Sequence, residues 1–360
     1  MVVSVKQQHN EEIRKIQFSG KSSYTLALPK KWVEEMGLGS GDRVRVGRQD
    51  TKSLLITVGD SPTLRSKGEI TMDVSSNDSP GFIIRKLVSI YLSGYNLINA
   101  RAKTGRLSSI QRDAMKKLVR SKFVGTEIIE DSSEGISLQV LLNPSELTVA
   151  NALRRMFLIA TSMHREAMTA LLEFNKESAK EISNTDDEVD RFGLYAIRQL
   201  KFAVESDTAS DIVGLETRRD SLGYRVVVKS LERIADHAAM LAEEIRVFPS
   251  PIPKDIGKKI REFSDFSLER LEKAMNSLFR RDYEAADEVV AEVAVTREKE
   301  DAIIDLASSK LKAAEVSHLR LVLEDIRRTA EYSADIGEIV LNLTVEKLLT
   351  KRAINGADFH

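Results

Sequence analysis

The sequence predicts a multidomain chain: a small β-rich head, an α/β module, and an all-α body of two three-helix bundles in tandem. Three observations predict it. Apolar residues alternate at period two over much of the first sixty positions. Strand-like and helix-like stretches then take turns up to about residue 145. From Pro144 onward the texture is helical, broken once by Phe248-Pro249-Ser250-Pro251-Ile252-Pro253. The implied domains are 1–60, 61–145, 146–250 and 251–360.

In the head, Ile16 and Phe18 alternate with Lys15 and Gln17, and Tyr24, Leu26 and Leu28 alternate with Thr25 and Ala27. Pro29 opens a helix at its first turn, where a missing N–H costs nothing. Trp32, Val33 and Met36 form its apolar face and Gly37 its C-cap. Gly39-Ser40-Gly41-Asp42 is turn chemistry, after which Val44 and Val46 alternate with Arg43 and Arg45, the valines expected inward. Leu54, Ile56 and Val58 form the next strand.

Strands are expected at 69–74, 95–101, 126–130 and 136–142, and helices at 82–92 and 109–122, which together make one sheet with helices packed on it. No chemistry is apparent in that module.

Two helical portions follow. Val227, Leu231, Ile234, Ala238, Leu241 and Ile245 make a seam at alternating four- and three-residue steps. Val322, Ile326, Thr329, Ser333, Ile336 and Val340 repeat it 95 positions later, bringing Asp236 onto Glu331 and Glu243 onto Glu338. Helices over 147–180 and 260–280 and two acidic middle helices complete three per portion. An internal duplication accounts for this.

The chain has 360 residues, 42% apolar and 30% charged, without cysteine. Disulfides, thiolate metal sites and thiol nucleophiles are therefore excluded. No apolar run is long enough to span a membrane and no leader is evident, so a cytoplasmic location without membrane insertion is expected. Residues 1–145 carry a net charge of +7 and the rest −8, which suggests a polyanion-facing half joined to a cation-facing half. No Ser/His/Asp set or glycine-rich phosphate loop occurs, and Gly39-Ser40-Gly41 precedes a strand, without a helix dipole to hold phosphate. An enzyme is not expected.

Carboxylates four apart are the first candidates for chemistry: Asp186/Asp190, Glu232/Asp236, Asp301/Asp305 and Glu331/Asp335. On a helix such pairs share a face and can converge on a hard cation. Against the seams, Asp236 and Glu331 point away from the core, so a metal would sit on the bundle surface. A solvated acidic face steadied by Arg233 and Arg328 is the competing reading. His237 is a ligand, a ligand's partner, or a boundary histidine with no metal role. The second candidates are the basic residues of the head, Arg14, Lys15, Lys21, Lys30, Lys31, Arg43, Arg45 and Arg48, set on strand faces and turn edges. They suit either a DNA groove or bulk water.

The stretch from Arg14 to Val58, with Ser23-Tyr24-Thr25-Leu26-Ala27-Leu28-Pro29-Lys30 and Leu38-Gly39-Ser40-Gly41-Asp42, resembles a SpoVT/AbrB-type domain. That resemblance implies a swapped-hairpin dimeric β barrel gripping DNA through Arg14, Lys15, Lys21, Lys30, Arg43, Arg45 and Arg48. The helical part resembles the PhoU family. Leu231-Glu232-Arg233-Ile234-Ala235-Asp236-His237-Ala238 is close to that family's third-helix signature, and Asp187-Glu188-Val189-Asp190 to its middle-helix start. Arg327-Arg328-Thr329-Ala330-Glu331-Tyr332-Ser333-Ala334-Asp335-Ile336 is similar to a second copy. The whole arrangement resembles archaeal phosphate uptake regulators.

The PhoU resemblance implies surface-bound metal ions (iron, zinc or magnesium), no organic cofactor, and ligands at Asp186, Asp190, Glu232, Asp236, Asp301 and Asp305. Arg327 stands where Glu232 stands in the first copy, so Glu331 and Asp335 would have to compensate there. The expected function is a phosphate-responsive transcription regulator acting as a homodimer on DNA. The alternative is an adaptor that binds no DNA, docks on a phosphate transporter ATPase or sensor protein, and uses the head only to dimerise. An antitoxin-like regulator would need a small toxin partner.

Overall fold

A computed structural model describes residues 12–20, 22–48, 53–58, 67–182 and 185–356, and the chain divides into two units, 1–65 and 66–360. In the first unit β1 (Ile16–Ser19) pairs antiparallel with β2 (Ser23–Leu26), and β3 (Val44–Arg48) with β4 (Leu54–Val58). Helix α1 (Lys30–Glu35) lies between them in sequence, opened by Pro29 and ended by Gly37 at φ 69°. Direct partners share a face, so Phe18 meets Tyr24 edge-on at 5.1 Å beside Ile16 and Leu26. Val44 and Val46 take one face of the second hairpin and Arg45 the other.

The valines do not turn inward as the alternation predicts. Val46 is 58% exposed and Phe18 61%, and Pro29 is the only buried residue among those described in this unit. Among the described residues of this unit the hairpins form two separate two-stranded sheets, with no second layer over them. Isolated hairpins are marginal in water, and the described residues of these supply no core.

The second unit opens with a four-stranded sheet in the order β5 (Lys67–Val74), β6 (Tyr95–Ala102), β8 (Gly135–Val140), β7 (Thr126–Asp131). The β5–β6 pair is parallel and joined by α2 (Pro80–Leu92); the other pairs are antiparallel. Met72, Ile98, Ala100, Ile136 and Leu138 line one face and are buried with Ile83, Leu87 and Tyr91 of α2 and Met115 and Val119 of α3 (Ser109–Lys122). Ser108 and Gln111 cap α3 reciprocally, and the Gln111 amide also donates to the Ser75 and Asp78 carbonyls at 2.9 Å. The opposite face is polar: Arg101 forms a two-pronged pair with Glu130 at 2.7 Å.

The helical body runs α4 (Val149–Glu173), α5 (Lys176–Ile182), α6 (Asp186–Ala203), α7 (Asp207–Ile212), α8 (Asp220–Val247), then α9 (Lys254–Arg280), α10 (Tyr283–Glu292), α11 (Thr296–Ser308) and α12 (Ala313–Gly356). Every seam residue named above is at most 1% exposed. The single helix expected over 147–180 is two, because Phe174 turns left-handed at φ 54°; Arg281 at φ 56° ends α9 the same way. The extra α7 accounts for the longer middle-to-third interval of the first repeat. The bundles are not separate bodies, since buried residues of both contribute to one continuous core. His164 of α4 sits at their junction, with Nε2 2.9 Å from the Ser264 hydroxyl of α9 and Nδ1 3.3 Å from the Thr329 hydroxyl of α12.

The sheet module docks on α6. There the buried Arg198 guanidinium donates to the Tyr91 carbonyl and, at 2.7 Å, to the Asn96 side chain, and lies over the Tyr91 ring.

Candidate metal centre

In the first repeat, Asp186 and Asp190 lie one turn apart on α6, as do Glu232 and Asp236 on α8. Glu232 is only 8% exposed, unusual for a carboxylate. Gly193 makes room for it: a methyl there would lie 2.4 Å from Glu232 Oε1. Burial raises the pKa of Asp186 to about 6, helped by the charges of Asp236 and Asp190. Burial also raises Glu232, against the pull of Lys229, with Asp190 and Asp236 adding to the rise. Asp236 rises by burial and the charge of Asp190. The four carboxylates are thus close enough to repel. Asp186 Oδ1 is buried without a hydrogen-bond partner.

Two lysines pair with carboxylates of this cluster, and Arg233 also lies near Asp236. Lys229 lies 2.7 Å from Glu232 Oε2. Lys122, the last residue of α3, lies 2.6 Å from Asp187 Oδ1 and 2.7 Å from Asp190 Oδ2. His237 points elsewhere: its Nδ1 is 2.8 Å from Oδ1 of the buried Asp325, which ties α8 to α12.

The second repeat is built differently. Arg327 pairs with Glu300 at 2.6 Å and with Glu331, whose other oxygen lies 3.0 Å from Arg328. Asp301 and Asp305 are exposed on α11 and make none of these contacts, and Asp335 is exposed on α12. Glu300, one residue before Asp301, faces α12 instead.

Residues 153–245 and 260–340 match the family model described as the PhoU domain. Both helical repeats are thus similar to the PhoU domain. Among solved structures, the phosphate transport system regulatory protein PhoU from Streptococcus pneumoniae is similar at 17% identity and a TM-score of 0.46, covering 54% of this chain and 92% of that one. PhoU from Pseudomonas aeruginosa is similar at 16% identity and a TM-score of 0.39, covering 54% and 94%. No curated relative matches the chain by sequence.

The two repeats differ in how they suit a metal. Among the described residues no group of three or more His, Asp or Glu side chains closes around a point in ligand geometry. The first domain nevertheless has an orphaned buried carboxylate oxygen beside crowded carboxylates, the chemistry of a hard-cation site. Asp186, Asp190, Glu232 and Asp236 are the carboxylates crowded there. The second does not fit, because the Arg327 guanidinium fills the place of a carboxylate and already neutralises Glu300 and Glu331.

In the head, Arg14, Lys15, Lys30, Arg43, Arg45 and Arg48 are all exposed. Arg14 pairs with Glu12, and Lys30 with Glu34 at 3.5 Å. Lys21 lies outside the described residues. Sequence reasoning missed Lys122, Lys229, Glu300 and Asp325, and each was one lysine or carboxylate among many on charged helices.

Proposed function

We propose that this chain regulates phosphate uptake by docking its pair of PhoU domains on a component of a phosphate transport system, a transporter ATPase or a sensor protein. The match of both helical repeats to the PhoU domain carries this reading. It favours the docking role, the alternative drawn from the sequence, over a role on DNA. None of the described helices is long and apolar enough to cross a membrane, so the transporter itself would supply the membrane part. A hard cation held by Asp186, Asp190, Glu232 and Asp236 would brace the first domain. Deleting the gene should leave phosphate uptake high when phosphate is plentiful. Uptake that still falls on phosphate addition would rule the reading out.

DNA binding is the second reading, favoured by one observation: the head separates an exposed apolar face from exposed arginines. A second copy covering Phe18 and Val46 would complete a core and place two basic faces side by side. On this reading the wild-type protein is a dimer that shifts its own upstream DNA, with affinity falling on the order of tenfold per doubling of salt. Arg43→Glu with Arg45→Glu should abolish the shift and keep the dimer, whereas Val46→Glu should yield monomers by light scattering. A dimer with no sequence-preferring shift at low salt leaves the head as a dimerisation device.

A further inference from the structure

Helices α8 and α12 run antiparallel, with Gly223 against Ile339 at one end and His237 against Asp325 further along. A methyl at Gly223 would lie 2.8 Å from Ile339 Cγ2, so the two helices touch closely there. Beside that contact opens a cleft of about 520 Å³ with apolar walls, Leu222 and Val226 one turn apart on α8 and Ile339 and Leu343 one turn apart on α12. Leu222 is 75% exposed and Val226 44%. A lone exposed leucine means little, but four apolar side chains around one cleft mark an interaction surface. Helix α8 belongs to the first repeat and α12 to the second, so the cleft lies where the repeats join.

The charges around the cleft are unevenly satisfied. Buried Asp220 takes the Arg281 guanidinium at 2.6 Å, Glu216 takes Lys347 at 2.5 Å, and Glu346 is engaged as well. Arg219 at the rim and Arg225 further along α8 are exposed, and neither makes an ion pair or side-chain hydrogen bond among the described residues. They stand three positions to either side of Leu222 and so share its face of the helix. The carboxylates of the rim are thus already matched, and the charge left over is positive. An occupant must supply apolar side chains to the cleft and carboxylates to its rim.

We propose that this cleft docks an amphipathic helix of a partner protein, one whose large apolar side chains are flanked by Asp or Glu. A helix laid in a groove between two helices offers side chains at one-turn steps, the spacing of both walls. A flat bilayer leaves a concave cleft unfilled. A second copy meeting this face two-fold would set Arg219 and Arg225 against the same positive rim. The inference deepens the docking reading of the PhoU-like repeats and rests on it for a protein partner.

Leu222→p-benzoylphenylalanine in the full-length chain, irradiated in its own host cells under plentiful phosphate, tests it. Mass spectrometry of the cross-linked peptide should find an acidic segment with apolar residues at helical spacing. Arg219→Glu with Arg225→Glu should then cut the cross-link yield about tenfold, since like charges would face the acidic helix. All three positions are exposed, so folding is not at stake. A cross-link to lipid, to a second copy, or to a segment without carboxylates overturns the proposal, as does a yield unchanged by the charge reversal. An acidic helix from a protein outside phosphate transport supports the cleft and overturns the docking reading. No cross-link, where gene deletion still leaves uptake high, overturns the cleft and leaves that reading standing.

Discussion

Acidification from pH 7 to pH 4 should remove about 3 kcal/mol of stability from the helical body through His164 alone. This imidazole is 1% exposed, and burial lowers its pKa to about 4 from an ordinary value of 6.5. Its partners are the hydroxyls of Ser264 and Thr329, and among the described residues no carboxylate pairs with it. Arg165 beside it opposes a second positive charge. The unfolded chain therefore takes up a proton below pH 6.5 that the folded chain refuses until about pH 4. Stability from this group is complete above pH 6.5 and is lost as pH falls through that window.

Asp186, Glu232 and Asp236 act in the opposite sense, since their raised pKa values make the folded state bind protons first as pH falls. The measurement that isolates His164 is thus a comparison. Urea unfolding of wild type and His164→Gln at pH 7 and pH 4 should show wild type losing about 3 kcal/mol more. An equal loss in both would mean that His164 is not held neutral. Because His164 joins α4 to α9 and α12, the acid-weakened contact is the one between the repeats.

Arg327→Ala should cost about 3 kcal/mol, the range for removing one partner from a largely buried ion pair. The Arg327 and Glu300 side chains are only 13% and 15% exposed, so the truncation strands Glu300 as a nearly dry charge. Glu331 keeps Arg328 as a partner and suffers less. Adding Glu300→Gln should restore part of the loss, because a neutral amide is cheaper to bury than an unpaired carboxylate. Denaturant midpoints for the two variants check this, and a loss below ~0.5 kcal/mol for Arg327→Ala would show the pair to be a surface decoration.

Both effects lie where sequence reading was weakest. The seams of α8 and α12 were legible because a helix repeats its face every three to four residues, and all twelve seam positions are buried. The strands of the module were legible for a similarly local reason, the alternation of faces along a strand. Asp301 and Asp305 are exposed on α11, and Glu300, one residue earlier and so turned by about 100°, is the one that pairs with Arg327. The breaks at Phe174 and Arg281 carried no glycine or proline to announce them.

What the sequence determined by itself is the arrangement of elements: two hairpins, a βα sheet module and a duplicated helical body with acidic faces. Tertiary structure alone decided which cation answers each acidic face, Lys122 from a distant module in one repeat and Arg327 from within the other. It also decided that the repeats share one core and that the head's apolar faces are left open. The division has a physical cause. Periodicity and capping depend on neighbours along the chain, whereas pairing and burial depend on residues brought together across it.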